Sequence, residues 1–325
     1  MRRREFIGVL GGLAAWPPIA RAQPASVPVI GLLGSATATT WAPYVEAFLQ
    51  GLSGAGIIDG QNAAIEYRWA EGKYDRLPAM AADLVQHRVS VIAALTTPSA
   101  VAAKAATTAI PIVFTTVGDP VQIGLVTSLR HPGGNITGAT YLNVEVGPKL
   151  LELLREMVPT MTRVALLTNP TGPNSETVSK NLQAAAHALG LQLDVVNAST
   201  EQQIDTAFAI LARQRADGLI IASDVLLVMR YEQVVELARH HAVPAIYQER
   251  SSVIAGGLMS YSGDARDAYH EAGAYTGRIL KGERPADLPV QQTTKVELVI
   301  NLKTAKALRL NVPLSLLGRA DELVE

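Results

Sequence analysis

At 325 residues, 48% of them hydrophobic, the chain is long enough for more than one core, because single cores stop growing near this size. Its 28 Lys+Arg against 29 Asp+Glu give a formal charge of −1, which leaves no basic surplus to hold nucleic acid or an anionic membrane. Cysteine is absent, which excludes disulfides, a thiolate nucleophile, Cys-ligated zinc and a lipidated Cys behind a leader.

The N-terminus reads as an export address. Arg2-Arg3-Arg4 form a positive head, Ile7–Ala15 a short Gly-diluted apolar stretch, and Ala20-Arg21-Ala22 a small-x-small cleavage site before Gln23. Arg3-Arg4-Glu5-Phe6-Ile7 fits the twin-arginine export pattern. Pro17-Pro18 breaks any continuing helix, and the apolar run is too short to span a bilayer. Residues 1–22 are therefore expected to be a twin-arginine signal peptide cleaved after Ala22, with the mature protein in the periplasm. Removing the four Arg and one Glu of this segment takes the formal charge from −1 to −4.

Beyond the leader, apolar runs and helical spacings alternate. Val27–Gly34 is a buried strand, and Trp41–Gly54 a helix with Tyr44, Ala47, Phe48 and Leu52 on one face. A strand over Ala63–Trp69, a helix over Tyr74–His87 and a buried strand over Val89–Leu95 follow. An Ala-rich helix over Ala100–Thr107 and strands over Pro111–Thr115 and Thr137–Tyr141 close this series. The order then repeats. Strands at 163–168, Leu191–Val196, Gly218–Ala222 and Pro244–Tyr247 alternate with helices over Ser175–Leu189, Glu201–Gln214 and Met229–His240. Leu258–Tyr261 leads back, ahead of a helix over Ala265–Leu280. This is an α/β pattern of two Rossmann-like lobes, each a parallel sheet covered on both faces. Crossings near residues 141, 262 and 293 predict one lobe from 27–140 plus 263–293 and another from 141–262 plus 294–325. Three thin connections of this kind make a hinge.

In open α/β sheets, ligands sit outside the carboxyl ends of the strands. The residues there are small, hydroxylated, amide or acidic: Ser35, Thr96 to Ser99, Thr116 to Asp119, Asn169 to Ser175, Ser223-Asp224 and Gln248-Glu249. Thr97 and Ser99 open a helix with Pro98 near its start, so free N–H groups and hydroxyls suit a carboxylate; a plain cap is the alternative. Asp119 and Asp224 suit an amine, or serve as a turn residue before Pro120 and a helix cap. Asn169 offers its amide, and Asn174 or Ser175 caps the next helix. Trp41, Tyr141 and Tyr261 either stack on an apolar ligand group or belong to the core.

No phosphate-binding glycine loop, Gly-x-Ser-x-Gly elbow or His-Glu-x-x-His helix is present. His240-His241 reads as a solvated helix end rather than a metal site. Neither metal nor cofactor is expected, and no catalysis. A hydrolase built on Asp119 or Asp224 is the enzyme alternative, without a nucleophile–base pair to support it.

Several motifs also stand in a familiar order. Thr97-Pro98 follows a buried strand, Ile110-Pro111-Ile112-Val113-Phe114 precedes Gly118-Asp119-Pro120-Val121, and His131-Pro132-Gly133-Gly134-Asn135-Ile136-Thr137-Gly138 comes next. Asn169-Pro170, Lys281-Gly282-Glu283-Arg284-Pro285-Ala286-Asp287-Leu288-Pro289 and Ile300-Asn301-Leu302-Lys303-Thr304-Ala305 complete the set. Together they resemble the ABC transporter substrate-binding family related to the tryptophan/tyrosine-binding proteins, from about Val27 to Glu325. The resemblance implies a type I periplasmic-binding-protein fold whose lobes close on a small carboxylate-bearing ligand, an amino acid or aromatic acid. It implies delivery to an inner-membrane ABC permease with its ATPase; a ligand sensor for a membrane receptor uses the same fold. By the same likeness, Thr97 and Ser99 hold the ligand carboxylate, Thr116 and Asp119 line the first lobe, and Asn169, Ser175 and Asp224 the second. The chain departs from the family pattern over Ser35 to Trp41 and at Ser223-Asp224-Val225-Leu226-Leu227. A monomer with no nucleic-acid partner is expected.

Overall fold

In the first strand, β1 (Val29–Gly34), side chains alternate between two buried clusters: Ile30 and Leu32 enter one, Leu33 the other. A strand buried on both faces needs helices on both, and the computed structural model, which describes residues 27–141 and 143–325, supplies them. The expected leader lies outside the described residues. After β1 come α1 (Ala38–Gly54), β2 (Ala64–Trp69), a 3₁₀ turn at Tyr74–Arg76, α2 (Leu77–Gln86), β3 (Val91–Ala94), α3 (Thr97–Ala106), β4 (Ile112–Thr116) and β5 (Ile136–Tyr141). The second series holds α4 (Gly147–Met157), β6 (Arg163–Thr168), α5 (Ser175–Ala188), β7 (Gln192–Asn197), α6 (Glu201–Gln214) and β8 (Gly218–Ile221). It continues through α7 (Val225–Met229), α8 (Tyr231–His240), β9 (Ala245–Tyr247), α9 (Arg250–Ile254) and β10 (Met259–Gly263). The chain ends with α10 (Ala265–Leu280), β11 (Gln291–Thr293), β12 (Val296–Asn301), α11 (Leu302–Ala307), α12 (Leu314–Leu317) and β13 (Glu322–Val324).

Two sheets result, a six-stranded one in the order β11-β5-β4-β3-β1-β2 and a seven-stranded one in the order β13-β12-β10-β9-β8-β6-β7. Every pair in the first is parallel. The second departs from the purely parallel expectation, because β12 runs antiparallel to β10 with Gly263 facing Val296. The cause is where the chain enters. It arrives from β11 at the carboxyl end of β10 with no helix to carry it back, so it can only run down the neighbouring edge.

Local chemistry moves three other boundaries. The α3 helix begins at Thr97, not Ala100, because Thr96 caps it by accepting from Ser99 N and Pro98 fits the first turn. The expected Met229–His240 helix begins instead at Tyr231, after a break at Arg230 (φ −111°, ψ 24°), and a separate short helix capped by Asp224 precedes it. Pro78 near its start gives α2 a 3₁₀ lead-in. The amphipathic α4, which buries Leu150, Leu151, Leu154 and Met157, has no counterpart among the expected elements.

The chain passes between the sheets after β5, after β10 and between β11 and β12. Asn143 ties these passages together. Its Oδ1 accepts from Gly263 N at 2.9 Å, and its Nδ2 donates to Gln248 O and Ser223 Oγ at 3.4 Å. Thr293 Oγ1 reaches Thr140 O and Asp264 O, each at 3.4 Å.

Helices α1 and α10, far apart in sequence, cover one face of the first sheet and touch backbone to backbone. A Cβ on Gly273 would stand 1.9 Å from Phe48 O, and one on Gly51 1.9 Å from His270 O. Gly273→Ala is therefore expected to lower unfolding free energy by about 2 kcal/mol or more in a urea titration, since overpacking forces the helices apart. Gly54→Ala, with nothing within 4 Å, should be neutral or mildly stabilising in the same titration.

Candidate functional site

Residues at the carboxyl ends of β3, β4, β6, β8 and β9 line one cleft between the sheets, with about 590 Å³ of empty space counting its open mouth. A concave space between lobes with a few convergent polar groups is where small molecules bind. Aromatic side chains from the first lobe form much of its wall. Trp41 Nε1 donates to Tyr269 Oη at 2.8 Å, and Tyr269 Oη donates to Leu95 O at 2.6 Å, which fixes both rings. Tyr44 stacks on Tyr269 with ring centroids 5.0 Å apart. Tyr141, at the end of β5, and Tyr74 complete the wall. Burial pushes the Tyr44, Tyr74, Tyr141 and Tyr269 phenols up, so all remain hydroxyl donors.

Two carboxylates from the second lobe meet this wall. Tyr44 Oη donates to Glu249 Oε2 at 2.9 Å, and Tyr74 Oη donates to Asp224 Oδ2 at 2.9 Å, so two phenol–carboxylate bonds span the cleft. Asp224 is further held by Leu226 N at 2.9 Å and Asn169 Nδ2 at 3.0 Å, both on Oδ1. Gly172 lets this happen, because a Cβ there would stand 2.8 Å from Asp224 Oδ2. Burial raises the Asp224 carboxyl above its ordinary value, against the lowering effect of Asn169 and Tyr74. Burial pushes Glu249 up to about 7, with only the Tyr44 bond opposing it. Among the described residues, no cationic side chain lines the cavity.

Hydroxyls and helix starts supply the rest. Thr115 Oγ1 is buried, lines the cavity and has no hydrogen-bond partner. Thr97, in the first turn of α3, accepts from Val117 N at 3.3 Å. Asn174 and Ser175 stand at the start of α5, which no side chain caps; Ser175 N itself donates to Gly172 O at 3.1 Å.

Of the strand-end candidates, Thr97, Asn169, Ser175 and Asp224 face the cavity. Ser35 and Ser99 lie behind it, and both hydroxyls engage Thr96 Oγ1, at 2.8 and 2.7 Å. Thr116 points the other way from Thr115, as neighbours on a strand must, and donates to Gly118 O at 3.3 Å. Asp119 is exposed and accepts from Val121 N at 2.8 Å, the turn role its place before Pro120 allows. Tyr261 packs against the core of the second lobe. Trp41 and Tyr141 do line the cavity. Tyr74, Thr115 and Tyr269 fall outside the sequence expectation, and Glu249 enters it only as one strand end among several. Tyr269 carries no local signal beyond being a tyrosine on the Ala-rich face of α10.

Two α/β lobes joined by three crossings, with a cavity between facing strand ends, define a type I periplasmic-binding-protein fold. The chain belongs to the ABC transporter substrate-binding protein family, whose model matches residues 40–324. It is 31% identical over 264 residues to a tyrosine-binding protein of Clostridioides difficile (strain R20291), covering 81% of this chain and 75% of that one. The ABC domain of Streptococcus pneumoniae in complex with L-Trp superposes with a TM-score of 0.84 at 25% identity, covering 92% of this chain and all (100%) of that one. The ligand-free, open form of a substrate-binding protein with adhesive properties from Clostridium difficile gives 0.65 at 26% identity, over 92% and 99%.

The burial of Glu249 carries a sign. Its neutral form is favoured in the folded protein, so stability is full below the ordinary value of 4.5 and is lost as pH rises through about 7. Without ligand, the melting temperature is expected to fall from about pH 5 to 8, and Glu249→Gln to flatten that fall. Equal slopes in the two proteins would show that Glu249 is solvated.

Proposed function

We propose that the protein captures an aromatic L-amino acid in the cleft and presents it to an inner-membrane ABC permease with its ATPase. The observation that carries this reading is an aromatic-walled cavity whose charged side chains are two carboxylates without a cation. An ammonium group is attracted to Asp224 and Glu249 and favours their ionised forms, whereas an aromatic acid lacking it would bring a negative charge beside two acids that burial already disfavours as anions. The ligand carboxylate goes to the hydroxyl-rich strand ends and helix starts, where Thr97, Thr115 and Ser175 line the cavity and the helix dipoles favour an anion. Asn169 holds Asp224 in place, while Ser35 and Ser99 hold Thr96 from behind. Relatives named for tyrosine and solved with L-Trp support the same ligand class. The two lobes, residues 27–140 plus 263–293 and 141–262 plus 294–325, swing about the Asn143–Gly263 tie, and the two phenol–carboxylate bonds form as they meet.

A thermal-shift comparison tests this. L-Trp, L-Tyr or L-Phe should stabilise the mature protein by RT ln(1 + [L]/Kd), about 2.7 kcal/mol at a hundredfold excess, and their deaminated acids should not. Stabilisation by indole-3-acetate or phenylpropionate equal to that by the amino acids would remove the ammonium from the reading. No shift with any amino acid would remove the ligand class.

The leader motif supports capture outside the cytoplasm, in the periplasm. Fractionation and N-terminal sequencing should find a periplasmic chain that begins at Gln23, and Arg3→Lys combined with Arg4→Lys should leave the precursor in the cytoplasm. Unchanged export of the double variant would rule out the twin-arginine route.

A further inference from the structure

The two acids of the cleft are held very differently. Asp224 caps α7, and both of its oxygens are engaged: Oδ1 accepts from Leu226 N at 2.9 Å and Asn169 Nδ2 at 3.0 Å, and Oδ2 from Tyr74 Oη at 2.9 Å. The Gly172 backbone closes on Oδ2 as well, since a Cβ there would stand 2.8 Å away. Little of this carboxylate is left for a ligand. Glu249 precedes α9 but does not cap it. Among the described residues its one donor is Tyr44 Oη, on Oε2, which leaves Oε1 without a partner. The Glu249 side chain lines the cleft, and Oε1 is not sealed from solvent. The adjacent cation does not serve it: Arg250 turns to Glu322, with Nε and Nη2 donating at 2.7 and 2.6 Å.

We propose that Glu249 alone contacts the ligand's ammonium, through Oε1, and that Asp224 is a positioning residue holding Tyr74 and the start of α7. The inference rests on the amino-acid reading above and deepens it. Trp41, Tyr141 and Tyr269 line the same cleft, and aromatic rings add attraction for a cation. Binding then carries a proton balance. Burial pushes the Glu249 carboxyl up to about 7 in the empty cleft, so below that pH an arriving ammonium displaces its proton to solvent. The neutral acid and the ammonium become a carboxylate–ammonium pair and one released proton. The phenols around it, Tyr44 of α1, Tyr141 of β5 and Tyr269 of α10, are pushed up by burial and keep their protons, and the charge of Arg266 on α10 bears on Tyr44.

Calorimetric titration of the mature protein with L-tryptophan at about pH 5.5 and 7.5 tests it. Affinity should be at least about tenfold lower at the acid end, because a proton must leave before the pair can form. Glu249→Gln should lower affinity at the higher pH by at least about thirtyfold and abolish the pH dependence. Asp224→Asn should weaken binding through misplaced neighbours yet keep the dependence. A dependence lost in both variants, in neither, or in Asp224→Asn only would overturn the assignment. Equal wild-type affinities at the two pH values would overturn it too, and leave the amino-acid reading standing. That wild-type comparison, repeated in phosphate and Tris to count released protons, holds even if a variant folds poorly. No binding of L-tryptophan, L-tyrosine or L-phenylalanine at either pH would overturn both.

Discussion

Parallel pairing forces each connection to return over a face of the sheet, so all carboxyl strand ends, and the starts of the helices after them, gather at one edge. The cleft is made of two such edges turned toward each other. Asp224 shows the consequence. As the N-cap of α7 it must accept from Leu226 N, and that bond holds its other oxygen against Tyr74 of the opposite lobe. Thr96 plays a similar part on α3, gathering Ser35 and Ser99 behind it while Thr97 beside it faces the cavity. Capping, which each helix needs for its own sake, thus builds the site.

Much of the fold was legible because both sheets rest on short apolar runs buried on both faces, and such runs have few other readings. Direction was not legible. The run at Val296–Asn301 has the same hydrophobic content whether β12 runs up or down, and only its point of entry makes it antiparallel. Legibility at the cleft fell off in a similar way. Strand ends could be read, but which of two adjacent residues faces the ligand depends on parity against the core. That parity puts Thr115 in the cavity and turns Thr116 away. Tyr74 and Tyr269 come from outside the strand ends altogether, one on a 3₁₀ turn and one on the helix that follows the second lobe crossing. Their positions depend on how the lobes sit against each other, which no local pattern encodes.

Close packing and the cleft are linked through α10. Gly51 and Gly273 bring α1 and α10 to backbone contact, and this sets the depth at which Trp41, Tyr44 and Tyr269 meet. A wider spacing would separate the Trp41–Tyr269 hydrogen bond and move Tyr44 away from Glu249. The aromatic wall is therefore an outcome of helix packing on the far side of the sheet edge, which is why its residues look like core in the sequence.

The two carboxylates also bear on closure of the lobes as proposed above. In the empty cleft, burial disfavours their ionised forms, and the phenol bonds from Tyr44 and Tyr74 offset that only in part. Closure without a ligand thus works against the desolvation of two acids that no cation relieves. On the proposed reading, an ammonium group between them reverses the balance, because a charge pair is strongest where water has been excluded. On the same reading, the acids that oppose an empty closed state favour a filled one, and the burial that makes the cleft costly to close alone is the source of its selectivity for a charged amine.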